Sequence, residues 1–282
     1  FLFKYGAHRA DPLSPENPLV FMNGPFQGTG IPTSGRHQIL ARSPLTDGFG
    51  ESDCGGTFGY HLKRAGYDGL IFLGKASSPV YTAVTDGRIE IRDGAFLWGK
   101  DTFETEEELL AIEGKSAAVS CIGPAGENQA LLANVMHDGI NARAAGRGGM
   151  GAVMGSKNLK AIVARGGAKT LMADEGAVRA KSAEKAKLYV EKMGAMTRFG
   201  TPGGVAFAEQ NGDLPLKNWS MGSWSEEVKS ITGEAMAETI LTGNWGCTAC
   251  PIRCGRDVAF NGISGAGPEY ETAERRLPEL GD

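Results

Sequence analysis

Three cysteines, Cys247, Cys250 and Cys254, stand two and then three residues apart in a stretch that also holds Pro251 and Gly255. Thiolates this close on one loop can converge on a single soft-metal centre, and Pro and Gly let the backbone fold around it with its N–H groups aimed at sulfur. A set of three argues against a disulfide, and the other two cysteines, Cys54 and Cys121, lie far upstream. An iron-sulfur cluster is the first reading of this spacing. Zinc is the second, since Cys-x-x-Cys is also a zinc hook, although a tetrahedral site needs a fourth ligand and no histidine stands nearby. Free structural thiols are the third. A cluster would also lack its fourth ligand within this stretch.

Three other stretches carry groups capable of chemistry. Asp53-Cys54-Gly55-Gly56-Thr57-Phe58-Gly59 feeds a short helix expected to run to 65, and such a joint presents backbone N–H groups to an anion, though many do so without a ligand. Residues 141–157 set Arg143 and Arg147 among Ala144, Gly146, Gly148, Gly149 and Gly151. Guanidinium forks grip phosphate or carboxylate while glycine lets the backbone come close; a basic surface loop is the plainer alternative. Glu269 and Glu271 follow Gly267-Pro268 on an expected turn. They could serve as general base or ligand, but composition alone makes them surface residues.

The elements that must position these groups read as two kinds of chain. Strands are expected over 19–22, 37–41, 70–73, 80–84, 89–91, 117–122, 131–135 and 159–164, with Asp86-Gly87 marking a hairpin. An acidic helix over 105–112, ending at Gly114, should expose its carboxylates. Beyond Gly166-Gly167 the pattern turns helical, over 174–193, 203–210 and 233–241, with a solvated lysine-rich face at 181–192. A domain boundary therefore falls near 167–172. The chain has 282 residues, 41% hydrophobic and 22% charged, and 42 glycines that imply tight turns and close backbone approaches. A net charge of −4 provides no basic stripe, so nucleic acid is not an expected partner. No apolar run approaches about 18 residues and no signal or lipidation motif occurs, so no membrane partner is expected. Clustered, unpaired cysteines fit a reducing cytoplasm.

Taken in order, Asp11-Pro12-Leu13-Ser14-Pro15-Glu16-Asn17, Ser34-Gly35-Arg36, Arg42-Ser43-Pro44-Leu45-Thr46, Ala65-Gly66-Tyr67-Asp68, Ile122-Gly123-Pro124-Ala125-Gly126-Glu127-Asn128, Arg143-Ala144-Ala145-Gly146-Arg147-Gly148-Gly149, Met154-Gly155-Ser156-Lys157-Asn158-Leu159-Lys160-Ala161-Ile162, the cysteine loop and Gly267-Pro268-Glu269-Tyr270-Glu271 closely resemble the aldehyde ferredoxin oxidoreductase family. Each motif is unremarkable alone. Their order and register over nearly the whole chain are specific.

The resemblance implies an α+β protein: a β-rich pterin-binding domain over 1–168, then part of a helical domain over 169–282 that carries the cysteine loop. It implies a tungsten or molybdenum bis-pterin beside a [4Fe-4S] cluster, with Mg²⁺ joining the pterins, aldehyde as substrate and ferredoxin as electron acceptor. By position, Arg36 would lie between pterin and cluster. Asp53, Cys54, Gly55, Arg143, Ala144, Gly146 and Arg147 would form the cofactor-binding stretches, with the carbonyls of Asp53 and Ala144 on magnesium. Cys247, Cys250 and Cys254 would bind the cluster, and Glu271 would be the general base. The chain departs from the family in three ways. Asp53 stands where Asn is usual, and Cys54, read here as a packed small residue, stands where a small hydroxyl residue is usual. The opening and closing parts of the family pattern are also missing, so the sequence reads as the N-terminal half of such an enzyme, its complement being a C-terminal half or another copy. Two alternatives remain: a tungstopterin reductase subunit acting on an acyl or aromatic substrate, and a cofactor-binding or electron-transfer module without turnover.

Overall fold

The computed structural model describes residues 1–267, which adopt an α+β fold in two compact units. The first comprises 1–182 with 247–249; the second comprises 183–246 and 250–267 of the described residues.

In the first unit, β1 (Leu19–Asn23), β2 (His37–Arg42), β3 (Phe49–Cys54) and β4 (Gly69–Phe72) form an antiparallel sheet in the order β3-β2-β1-β4, with α1 (Phe58–Arg64) between β3 and β4 in the chain. The elements that follow are β5 (Val80–Thr85), β6 (Arg88–Asp93), α2 (Thr102–Glu113), β7 (Ala118–Cys121), α3 (Pro124–Glu127), β8 (Val135–His137), β9 (Arg143–Ala145), α4 (Met150–Ser156) and β10 (Leu159–Arg165). Their strands form a second sheet in the order β6-β5-β10-β7-β8-β9, antiparallel except where β5 and β10 run parallel.

Local chemistry sets several of these elements. Asp86 and Gly87 have φ of 44° and 82°, the paired left-handed conformation that a two-residue hairpin needs. Asp101 caps α2 by accepting from Phe103 N and Glu104 N, while Glu104 reaches back to the Asp101 amide. β10 is central and buried on both faces. Ile162 and Ala164 join a core with Phe21, Ile39, Phe58, Leu62 and Met154, whereas Ala161 and Val163 join another with Tyr81, Leu97, Leu109 and Val119. At the edge of the second core, buried Lys160 pairs with buried Glu127 and donates to the Lys100 carbonyl at 2.7 Å.

Next in the chain, α5 (Glu175–Lys192) has no buried residue, so its lysines are solvated as expected. The second unit contains α6 (Gly194–Phe199), α7 (Val205–Gln210), α8 (Gly233–Thr239) and an antiparallel sheet of β11 (Leu241–Trp245), β12 (Gly255–Phe260) and β13 (Ile263–Gly267). Val205, Val228, Met236 and Val258 are among the few buried apolar side chains of its described residues.

Five expectations are corrected. The loop expected before α1 begins as strand β3, whose exposed residues alternate with buried ones. Residues 131–134 are not strand; Leu132 is 72% exposed, and pairing begins only at Val135. The glycine-rich stretch 141–157 is not a surface loop throughout: it contains α4, buried along its whole length, although Gly146 and Arg147 ahead of it are exposed. That helix lies so close to α3 that a Cβ on Gly155 would fall 1.9 Å from the Gly126 carbonyl oxygen. The α2 carboxylates are not all solvated: Glu113 is buried and accepts from Tyr81 Oη at 2.8 Å and Arg92 Nη1 at 2.5 Å. Finally, the helix expected to reach 241 stops at Thr239, and the chain from Leu241 pairs as strand instead.

Candidate functional site

Strand alternation divides the ends of β2 and β3 into two sides. His37 pairs with Cys54 and Gln38 with Asp53, and the inward positions hold His37 and Cys54, each 1% exposed. Arg36 and Asp53 face the open side, Nη1 to Oδ2 at 2.5 Å, with side chains 59% and 43% exposed. The charge that Asp53 introduces is thus balanced within the protein. Burial pulls the Arg36 pKa down, but Asp53, aided by Cys247 and Cys54, raises it overall, so the guanidinium stays cationic.

Cys247 packs against this same face. A Cβ on Gly55 would lie 2.7 Å from its Sγ, and one on Gly35 would lie 2.9 Å from the Thr248 carbonyl oxygen. Thr248 N donates to the Gly56 carbonyl at 3.2 Å. The two glycines beside Arg36 and Asp53 therefore form the seat of the first cysteine.

The edge strands of the two sheets, β3 and β9, lie against each other. Arg147 N donates to Ser52 Oγ at 3.0 Å, and Ser43 Oγ donates to the Gly148 carbonyl at 2.8 Å. This seam gathers Asp53, Ala144, Gly146 and Arg147, the last two exposed. Arg143 is 8% exposed and acts electrostatically on Cys54 and Asp138.

Behind the open face lie residues that sequence reasoning did not connect. His137 Nδ1 meets Cys54 Sγ at 3.3 Å, and its Nε2 meets His37 Nε2 at 3.2 Å. One donor atom from each of the three lies within 4.8 Å of the others. Because His137 divides its two nitrogens between its neighbours, the trio reads as a hydrogen-bonded stack under the site. Burial lowers the His137 pKa to about 4 and pushes the Cys54 thiol up, so both are neutral. Asp138, at φ 61°, accepts from Thr57 N at 3.0 Å and from Thr57 Oγ1. The amide at the start of α1, expected to be open to an anion, is thus taken by the protein's own carboxylate.

In the second unit Cys250 and Cys254 are free and half-buried, and Arg253 has a left-handed backbone at φ 51°. Arg256, two residues past Cys254, is fully buried and was likewise not singled out from the sequence. An arginine at an inward position of a strand leaving a cysteine loop is the signal that could have found it. Glu271 and Glu269 lie outside the described residues.

These donor sets suit distinct partners. Free thiols favour a soft metal, and guanidinium groups beside close-approach glycines an anionic cofactor. The cofactors implied by the sequence resemblance fit them.

Comparison with known proteins agrees along the chain. Residues 1–166 match the family model "Aldehyde ferredoxin oxidoreductase, N-terminal domain", and residues 177–275 match "Aldehyde ferredoxin oxidoreductase, domains 2 & 3". The tungsten-containing aldehyde ferredoxin oxidoreductase of Pyrococcus abyssi is 44% identical over 277 residues, covering 96% of this chain and 45% of the relative. The aliphatic sulfonate oxidoreductase, WOR-like subunit, of Pyrococcus furiosus is 33% identical, covering 93% and 44%. The solved active-site complex BamBC of benzoyl coenzyme A reductase, in complex with 1,5-dienoyl-CoA, superposes with a TM-score of 0.79 at 28% identity, over 94% of this chain and 42% of that one. The chain spans about half the length of the curated relatives it matches.

Proposed function

Because the chain belongs to the aldehyde ferredoxin oxidoreductase family, we propose that it supplies the pterin-binding base (1–168) and part of the cluster-bearing helical region (169–282) of an enzyme that oxidises aldehydes and reduces ferredoxin. The conversion is RCHO + H₂O → RCOOH + 2H⁺ + 2e⁻. A tungsten or molybdenum bis-pterin, when bound, supplies its two-electron acceptor.

The observation that supports this reading is the seating of Cys247 on Gly55 and Gly35, beside Arg36 and Asp53, where its thiol would serve as the first cluster ligand. Arg36 keeps guanidinium donors beyond the Nη1 held by Asp53, so it would hydrogen-bond toward pterin and cluster together. The Asp53 and Ala144 carbonyls would hold Mg²⁺. Gly55, Arg143, Gly146 and Arg147 would contact the phosphates, with Cys54 packed beneath. Cys247, Cys250 and Cys254 would bind a [4Fe-4S] cluster, and Glu271 would take the proton from the attacking water. A cytoplasmic setting belongs to the same reading; no helix among the described residues is long and apolar enough to cross a membrane.

The test is metal analysis of protein purified without oxygen from its native host, together with benzyl viologen reduction by simple aldehydes. The expected result is about four iron atoms and about one tungsten or molybdenum per protein, with aldehyde-dependent dye reduction. Zinc alone, or no metal in folded protein, overturns the reading. The likeness to the benzoyl coenzyme A reductase complex favours one rival, a reductase acting on an acyl or aromatic substrate. Dye-coupled turnover of thioesters but not aldehydes would select it.

A further inference from the structure

β12 turns Arg256 inward, where its side chain is fully buried. Nε donates to the Cys254 carbonyl at 3.1 Å, and Nη2 to the Arg253 carbonyl at 2.9 Å. Nη1 donates to Asn244 Oδ1 at 2.9 Å and to the Arg198 carbonyl at 3.0 Å. Nη2 also reaches the Thr197 and Met196 carbonyls at 3.2 and 3.4 Å. The last carbonyls of a helix lack intrahelical partners, and three of these acceptors belong to α6, so the guanidinium closes that helix end. In the same fork it fixes Asn244, just before the cysteine loop, and Cys254, the loop's last thiol.

All six acceptors are uncharged oxygens. A buried charge usually has an ionic partner, since leaving it without one is costly. Asp257 and the Cys254 thiol act on Arg256 electrostatically, both raising its pKa, while burial, the largest influence, lowers it. Neither of the two is among its hydrogen-bond acceptors. The guanidinium is protonated in either case.

We propose that Arg256 is a positioning residue that keeps a positive charge against the Cys254 backbone and thereby raises the reduction potential of the iron-sulfur cluster. This rests on the cofactor reading given above. Reduction adds one electron to the cluster, and a fixed positive charge nearby favours the reduced form; net charge and hydrogen bonding are established determinants of cluster potential. The electron comes from aldehyde oxidation and leaves to a ferredoxin-class acceptor.

The experiment is an EPR-monitored redox titration of the full-length protein carrying this sequence, purified without oxygen, with iron counted per chain. Arg256→Gln removes the charge, and Arg256→Lys retains it while losing the fork. The expected result is a midpoint shifted to more negative potential in the glutamine variant and near the unmodified value in the lysine variant. Equal shifts in both, or none in either at full iron content, overturn the proposal. Should Arg256→Gln fail to fold, Asn244→Asp sets a compensating carboxylate charge against the guanidinium and keeps its Nη1 bond. A more negative midpoint there supports the proposal, and an unchanged midpoint at full iron content overturns it. Absence of any cluster signal in the unmodified protein brings down the cofactor reading instead, and this inference with it.

Discussion

Gly55 locates Cys247 by having no side chain of its own. A Cβ there would sit 2.7 Å from the sulfur, closer than the two atoms can approach. A thiol can rotate away, so the cost of Gly55→Ala falls on ligand position more than on the fold. Iron per chain is expected to drop at least about twofold, while unfolding free energy changes by less than about 1 kcal/mol. Denaturant unfolding and iron analysis on the same sample check this, and full iron content would sink it. Glu106 offers a second residue-scale test. Its carboxylate accepts from Gly139 N at 2.6 Å, and burial, with Asp138 assisting, raises its pKa to about 7. The folded protein therefore holds a proton that the unfolded chain releases near the ordinary value of 4.5. The stability this contributes is fully present below that value and is lost as pH rises through about 7. With solvent screening the loss is about 1–2 kcal/mol. Glu106→Gln, which keeps an acceptor for Gly139, should show a smaller fall in stability between pH 4.5 and 8 in melts at both values. The cysteine spacing was readable because its ligands are neighbours in the chain. The stack of His37, Cys54 and His137 was not, because 100 residues separate its two histidines and only the fold unites them.

At the scale of elements, α4 and α5 are opposites. Every residue of α4 is buried, and none of α5 is. Backbone protection follows burial and packing, so amides of α4 and β10 should exchange on the timescale of global unfolding, and those of α5 faster by orders of magnitude. Hydrogen exchange followed by mass spectrometry reads this directly; equal protection of α4 and α5 would contradict it. The same contrast explains what could be read beforehand. α5 is rich in good helix formers, chiefly Ala, Lys and Glu, and α2 carries both a cap and a terminal glycine. Met150-Gly151-Ala152-Val153-Met154-Gly155-Ser156 has no polar face, so its helical period leaves no trace in the sequence. β3 hid for another reason: Gly50, Glu51, Ser52 and Asp53 are poor strand formers, and pairing with β2 overrides their preference.

For the molecule as a whole, the first unit holds two extensive apolar clusters, whereas the second has few buried apolar side chains among its described residues and exposes Phe207 (72%) and Ile263 (58%). Chelation or oxidative loss of iron should therefore leave exchange in β10 unchanged and raise it over 247–256, where the bonds to Arg256 and Gly56 and the first pairs of β12 would be the chief remaining restraints. Unchanged exchange over 247–256 would mean that the loop holds its shape without metal. The fold class was legible from the shift between strand and helical patterning. The placement of Cys247–Ala249 with the first unit was not, since no local pattern reports which distant glycines a cysteine rests on.

The Lys160–Glu127 pair constrains how this sequence can change over time. The Lys160 side chain is inaccessible to water and that of Glu127 nearly so, so replacing either one strands the other's charge in the core at a cost of about 3–5 kcal/mol. Replacing both with well-packed apolar residues is close to neutral. Positions 127 and 160 are thus acceptable in either of two states but not in between, and a lineage can cross from one to the other only by changing both nearly at once.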